Sequence, residues 1–367
     1  MVLGERPRLL LAVADGRAGG GTTVVLSLID HLLQDGRWTP LLMTELASHL
    51  ATQAQARGVE VIGFNFFGMK AWSHKYLAKL LINQRCTAVH AHGLRAAFHC
   101  CVALNGRHDP PLIYTVHGLH QLHFWAPLRR IVNLAERLVA RRSTFVTYVS
   151  HADVQLARLW CIAPDPNQIA LIPNGVDMAK LSAMENEQRT FDAIFIGRWV
   201  RQKDPVLASQ ILAELAARGW RCAIGGAGSL APEVLQVLAR DEGGHLVEQL
   251  GPLSHQEALS ALSKARLVIM PSRWEGLPLL PMEAAALGVV NLTSDLAACR
   301  ELIPSPAHGK LISSRQTSEW VDAAQNLLQC DLSYISRSAK EYIRDNYDIN
   351  NTLAAYLGVY EAATRHG

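Results

Sequence analysis

No stretch of the 367 residues approaches the roughly 18 uninterrupted apolar positions that a spanning helix needs, and the N-terminus carries no signal-peptide apolar core. These two absences predict an unexported, cytosolic chain. The seven cysteines are an odd set with no Cys-x-x-Cys spacing, which argues against a disulfide framework or a zinc ribbon and for reduced thiols. His-Glu-x-x-His and Asp-x-Asp are also missing, so neither tetrahedral nor oxygen-rich metal coordination has a motif behind it, and no metal is expected. Low-complexity tracts are absent and charged residues make up only 18%, the composition of a packed globular protein. No nucleic-acid partner is expected.

What is present exceeds one ordinary hydrophobic core in size, so two domains with a ligand cleft between them are the natural reading. The net charge of +3 hides an asymmetry: residues 1–175 hold 17 Lys/Arg against 10 Asp/Glu, and residues 176–367 hold 18 against 22. Part of the basic excess lies in Pro127–Arg142. There Leu128, Ile131, Val132, Ala135, Leu138 and Val139 recur at helical spacing, while Arg129, Arg130, Arg137, Arg141 and Arg142 mostly fall elsewhere. Two readings stay open, a core-packed helix with a solvated basic face and a helix lying on anionic lipid.

Short β-branched runs alternate with helix-period segments along the whole chain, a pattern of βαβ units and parallel sheets. Strands are predicted at 8–14, 38–44, 59–64, 87–91, 112–116 and 144–149, then at 193–197, 221–225, 246–249, 267–270 and 289–293. Each half reads as a doubly wound sheet. Ile172-Pro173-Asn174-Gly175-Val176-Asp177 interrupts both periodicities and marks the junction. The division is therefore 1–173 and 174–348, with a last helix over 349–367 crossing back to the first domain.

The strongest local signal is Pro271 to Gly288, a strand end, a tight loop and a helix start. Pro278 suits a first helical turn, and the free amides beside it attract phosphate. Glu275 lies before that helix and Glu283 about two turns into it, so one faces a sugar while the other reaches a ribose hydroxyl. The segment Ile196 to Lys203 places cations in the equivalent loop of the second half's first strand. Fixed charges at Arg198 and Lys203 stabilise a departing diphosphate more in the transition state than in the ground state, which is the work of a divalent metal. Gly226, in Gly225-Gly226-Ala227-Gly228, lets backbone approach the nucleotide. In the first half, the loop Ala14 to Thr23, with Gly20 and Gly21, permits close approach of a phosphate or sugar, and Thr22 or Thr23 is the expected cap. That loop fits a dinucleotide fingerprint poorly and lacks the lysine of a P-loop. His90 and His92 share one strand face and read as two satisfied structural histidines. His117, followed by Gly118 at a strand end, reads as a contact to the transferred sugar.

In this order the motifs resemble those of the family-4 retaining glycosyltransferases with the GT-B fold. The likeness runs from Gly19–Gly21 through His117, the Pro173–Asp177 hinge and the Gly197-Arg198 to Lys203 loop to the Glu-x7-Glu pair Glu275/Glu283. The resemblance implies an α/β fold of two Rossmann-like doubly wound domains with an interdomain cleft. It implies that Arg198 and Lys203 hold the donor diphosphate, that Glu283 takes the ribose and Glu275 the sugar, and that amides around Leu279 and Leu280 bind the phosphates. It also implies retention by same-face displacement, with the leaving phosphate helping to deprotonate the acceptor.

The segment Tyr114–His120 with the basic helix after it, and Glu275-Gly276-Leu277-Pro278-Leu279, look most like members that build exopolysaccharide, capsule or lipopolysaccharide on lipid-linked acceptors at the inner membrane face. Two positions depart from the family pattern: Gly288-Val289-Val290-Asn291 replaces Gly-x-Pro-Val, and Ala297-Ala298 replaces Gly-Gly before Glu301. The expected partners are a UDP- or GDP-linked sugar, a glycan or lipid-linked saccharide acceptor and, peripherally, anionic membrane. A nucleotide-sugar epimerase of the same fold and a non-catalytic glycan-binding protein are the alternatives left open.

Overall fold

The computed structural model describes residues 6–68, 74–104, 109–119, 125–186 and 188–365. The chain divides into two compact units, 1–174 with 351–367, and 175–350.

The first unit holds strands β1 (Arg8–Val13), β2 (Thr39–Thr44), β3 (Glu60–Gly63), β4 (Ala88–His92), β5 (Leu112–Val116), β6 (Phe145–Tyr148) and β7 (Ile169–Leu171), ordered β3-β2-β1-β4-β5-β6-β7 and parallel at every pairing. The second holds β8 (Phe191–Ile196), β9 (Cys222–Gly225), β10 (Glu248–Gly251), β11 (Ala265–Met270), β12 (Val290–Ser294) and β13 (Lys310–Ile312), ordered β10-β9-β8-β11-β12-β13 and again parallel. Central strands covered on both faces need unbroken apolar runs, and Leu9 to Val13 and Leu267 to Met270 are fully or almost fully buried.

In both sheets the order reverses beside the first strand, between β1 and β4 and between β8 and β11. Chain segments leaving a sheet on either side of such a reversal diverge, and the crevice beyond the strands' carboxyl ends becomes a ligand site. The predicted site segments leave those strand ends: Ala14 to Thr23 follows β1, Ile196 to Lys203 closes and follows β8, and Pro271 to Gly288 follows β11.

The structure corrects several details. β7 and β13 are edge strands without a predicted counterpart, and β10 begins at Glu248 because Gly244–Leu246 winds into a 3-10 turn. The helix Gly20–Asp35 starts at Gly20 with no side-chain cap. Thr22 Oγ1 instead donates to the carbonyl of Arg17 at 2.5 Å and Thr23 Oγ1 to that of Gly19 at 3.3 Å.

Of the two readings of the helix Ala126–Arg142, the structure goes against the one in which its apolar face is packed into the core. The helix buries Asn133, Glu136, Val139 and Ala140, whereas Ile131 and Leu134 are each 67% exposed. The inward anchor is polar: Tyr114 Oη donates to Glu136 Oε2 at 2.8 Å. Burial pushes the Glu136 carboxyl up to about 7, which favours its neutral form inside the unit.

From Asn351 onward the helix Ile349–Arg365 belongs to the first unit. Tyr356 and Tyr360 are buried, Thr352 Oγ1 donates to the Pro173 carbonyl at 2.9 Å, and Trp38 meets Tyr360 edge-on at 5.8 Å.

Candidate functional site

In the second unit, Lys203 and Glu275 meet. Lys203 Nζ lies 2.6 Å from Glu275 Oε1, with the two side chains 19% and 6% exposed. The loop after β8 is tied to the loop after β11 by more than this pair. Arg273 N donates to the Gln202 carbonyl at 2.7 Å, and Gln202 Nε2 donates to the Trp274 carbonyl at 3.1 Å and to Glu275 Oε2 at 3.4 Å. Arg198 differs from Lys203: it is exposed, with Nη2 3.3 Å from Gln202 Oε1.

The helix Leu279–Ala286 follows, with Pro278 at the N-cap and no side-chain cap. Pro278 therefore precedes the first turn rather than occupying it. The amides of Leu279 and Leu280 open the helix, where no intrahelical acceptor exists and the dipole favours an anion. Glu283 stands about one turn beyond Leu279, not two. It is 8% exposed, and its Oε1 is 2.8 Å from His255 Nε2. That hydrogen bond raises the His255 pKa above its ordinary 6.5.

Gly226 has a reason other than ligand approach. At φ +138° an added Cβ would lie 1.9 Å from the Gly197 carbonyl oxygen, so the protein's own loop after β8 requires the glycine. Gly21 is the opposite case, since a Cβ there would meet nothing within 4 Å. Gly20 shares the first turn with Gly21, after β1.

His117 follows β5, and its Nε2 is 3.0 Å from His92 Nδ1 at the end of β4. His90 is the satisfied structural histidine it was read as, Nδ1 on Tyr360 Oη at 2.7 Å and Nε2 on Thr115 Oγ1 at 2.6 Å. His92 is not: it binds His117, and its buried Nε2 has no hydrogen-bond partner among the described residues. Burial lowers His90 to about 3 and His92 well below 6.5, so both are neutral. His120, the end of the Tyr114–His120 segment, lies outside the described residues.

Two groups escaped the sequence reading. His255, at the start of its own helix, gave no signal of a partner 28 residues on. Asp204, at φ 48° and buried, takes Arg273 Nη2 at 2.8 Å and also Arg315, whose Nη1 donates to the Pro271 carbonyl at 2.8 Å. This cluster braces the first residues of the loop carrying Glu275. Among the described residues, no group of three or more His, Cys, Asp or Glu side chains could hold a metal ion.

Residues 18–180 match the family model described as Glycosyltransferase Family 4, and residues 190–330 the one described as Glycosyl transferases group 1. The chain belongs to the family-4-like glycosyltransferases of GT-B fold. The glycogen synthase of Mycobacterium tuberculosis is 26% identical over 292 residues, which is 77% of this transferase and 70% of that protein. The UDP-Gal:alpha-D-GlcNAc-diphosphoundecaprenol alpha-1,3-galactosyltransferase of Escherichia coli is 25% identical over 297 residues, 74% of each chain. Anabaena HepE, solved with UDP and glucose, shares the fold at a TM-score of 0.80 and 16% identity, over 96% of this transferase and 99% of that chain. The activity is sugar transfer from a nucleotide-sugar. No helix among the described residues is long and apolar enough to cross a membrane.

Proposed function

We propose that this transferase is a retaining, metal-independent hexosyltransferase that moves a sugar from a UDP- or GDP-linked donor to a lipid-linked saccharide. The reading places it in cell-surface polysaccharide assembly, as a peripheral protein of the inner membrane face. The observation that carries it is the Lys203–Glu275 pair beside the uncapped helix start at Leu279, all beyond the β8/β11 reversal. The E. coli relative's lipid-linked acceptor supports the acceptor class, and its donor together with the UDP in Anabaena HepE favours uridine.

Each residue has one task. Arg198, Lys203 and the Leu279 and Leu280 amides hold the diphosphate, Glu283 accepts from the ribose hydroxyls, and Glu275 and His117 bind the sugar. Gly20 and Gly21 line the approach of a ligand, whereas Gly226 serves the packing of its own loop against Gly197. As the bond from the anomeric carbon to phosphate oxygen breaks, negative charge grows on the diphosphate, and a cation already in place stabilises it without reorganisation. The acceptor hydroxyl attacks from the face the phosphate leaves and gives its proton to a phosphate oxygen. Anomeric configuration is thereby kept and no protein base is consumed. As the donor binds, before the anomeric bond breaks, Lys203 leaves Glu275 for the phosphate, which frees the carboxylate for the sugar hydroxyls.

Calorimetry with UDP, GDP and ADP in EDTA, on the wild type and Glu283→Ala, together with the NMR signal of the product's anomeric proton, tests the reading. One nucleotide bound in EDTA, bound on the order of ten times more weakly by the variant, and a retained anomer are expected. An inverted product or a requirement for divalent metal sinks the mechanism.

A further inference from the structure

Glu283 is the one charged residue of the helix Leu279–Ala286, and its neighbours from Pro281 to Ala286 are apolar and buried. A carboxylate in such surroundings needs a donor. Its one hydrogen-bond or ion-pair partner among the described residues is His255, with Nε2 2.8 Å from Glu283 Oε1. A carboxylate only accepts, so His255 Nε2 carries the proton and donates it. The helix His255–Leu262 follows β10, which lies parallel to β8 and β11 in one sheet, so His255 stands at the same carboxyl end as the loops carrying Lys203 and Glu275. Its first turn is locked by a capping box: Ser254 N donates to Glu257 Oε2 at 2.8 Å, and Glu257 N donates to Ser254 Oγ at 3.3 Å. Local preference gives no reason for an imidazole there, because the dipole at a helix start disfavours a side chain that becomes cationic. The reason is the partner 28 residues on.

We infer that His255 is a positioning residue for the donor's ribose: its Nε2–H pins one oxygen of Glu283, so that the carboxylate offers its remaining lone pairs to the ribose hydroxyls in one fixed orientation. The inference rests on the reading that Glu283 takes the ribose, and it names the residue that makes this contact selective. The last torsion of a glutamate is broad. A hydrogen bond prefers to lie near the plane of the group that accepts it, so a donor held on one oxygen sets the plane of both. Bonds to an ionised acceptor are strong enough to do this. His255 also differs from the other partner in the site. Lys203 sits on a flexible four-carbon stem and gives up Glu275 for the phosphate, whereas the imidazole of a capped helix start stays with Glu283 while the nucleotide binds. A carboxylate already oriented loses less freedom when a hydroxyl arrives. The consequence is specificity: a nucleotide that lacks a ribose hydroxyl leaves part of a nearly buried carboxylate unpaired.

Calorimetry of the full-length protein with UDP and GDP, each beside its 2′-deoxy and 3′-deoxy forms, tests this. The wild type is expected to bind one full nucleotide on the order of tenfold more tightly than at least one of its deoxy forms. His255→Ala and His255→Phe should bring that ratio down to about two, the second because it keeps a ring and removes the donor. His255→Gln carries an amide N–H and should keep more of the ratio than His255→Phe. The His255 side chain is 48% exposed, so all three variants are expected to fold. A His255→Phe protein as discriminating as the wild type assigns the ring to packing and overturns the inference. A His255→Gln protein no better than His255→Phe overturns the hydrogen bond as the cause. Glu283→Ala separates this from the reading beneath it. If Glu283→Ala keeps the wild-type ratio, or the wild type binds all forms alike, Glu283 does not hold the ribose and both readings fall. If Glu283→Ala loses the ratio and His255→Ala keeps it, the ribose contact stands and only the role of His255 falls.

Discussion

Beyond the ends of β8 and β11 the candidate groups are charged and paired, Lys203 with Glu275 at 2.6 Å and Glu283 with His255 at 2.8 Å. Beyond β1, β4 and β5 they are glycines and imidazoles, and burial keeps His90 and His92 neutral. Both sheets run outward from a reversal beside their first strand, so the contrast comes from the strand-end loops and not from the architecture. A charged, pre-paired site is suited to a diphosphate, whose charge grows during the reaction. Open glycines and a histidine at a strand end suit a ligand recognised by shape and single hydrogen bonds. The first unit's fixed charge is instead carried on its surface, with the arginines of Ala126–Arg142.

The largest effect that sharpens this contrast is expected at Lys203. Lys203→Ala should lower kcat by about 10²- to 10³-fold, since it removes a cation aimed at the leaving group. It also leaves the almost buried Glu275 carboxylate without its cation, facing Gln202 Nε2 at 3.4 Å. Steady-state rates with saturating donor read the first effect, and a wild-type kcat would remove Lys203 from leaving-group stabilisation. Next comes a pair of glycines. Gly226→Ala forces a Cβ toward the Gly197 carbonyl and should cost roughly 3 kcal/mol of stability in urea, whereas Gly21→Ala, facing open space, should change stability by less than about 0.5 kcal/mol. Equal costs at the two positions would break the distinction between an own-chain glycine and an open one.

A third prediction concerns the first unit's interior. The Glu136 carboxyl is raised from an ordinary 4.5 to about 7, so its cost to the folded state is absent below pH 4.5, accumulates as pH rises between the two values, and is complete above about 7. Glu136→Gln keeps an acceptor for Tyr114 Oη and cannot ionise. It should therefore stabilise the protein on the order of 2 kcal/mol at pH 8 and little at pH 5, as read by urea unfolding at the two pH values.

What could be read from the sequence follows the physics of each element. Central parallel strands such as Leu9 to Val13 announce themselves as continuous apolar runs. Ile169–Leu171 and Lys310–Ile312 are three-residue edge strands, too short for any period to show. Glu275, Arg198 and Lys203 are legible because strand-end loops carry few other reasons for charge, and Glu283 because it follows Glu275 into the helix Leu279–Ala286. That Lys203 meets Glu275 while Arg198 stays exposed depends on tertiary geometry, and so does the Asp204–Arg315 pair, whose partners stand 111 residues apart. For the helix Ala126–Arg142 two readings stay open because periodicity says that an apolar face exists but not what covers it; the core-packed one gives way because Tyr114 rewards burying Glu136 instead.

The smallest expected effect tests whether pairing in the second unit is electrostatic at neutral pH. The hydrogen bond to Glu283 favours the protonated form of His255 and outweighs partial burial, so its folded pKa lies above the unfolded value near 6.5. The stability this adds is fully present below pH 6.5 and is lost as pH rises through the folded pKa. Because the His255 side chain is 48% exposed, solvent screening keeps the contribution small. An NMR titration of the His255 ring should place its midpoint above 6.5 in the wild type and bring it back toward 6.5 in Glu283→Gln. His255→Gln should flatten the matching decline of the unfolding midpoint between pH 6 and 8. A His255 midpoint unmoved by Glu283→Gln would mean that Glu283 is not held by charge in the free enzyme, leaving Lys203–Glu275 as the second unit's one pre-formed ion pair among the Glu-x7-Glu carboxylates.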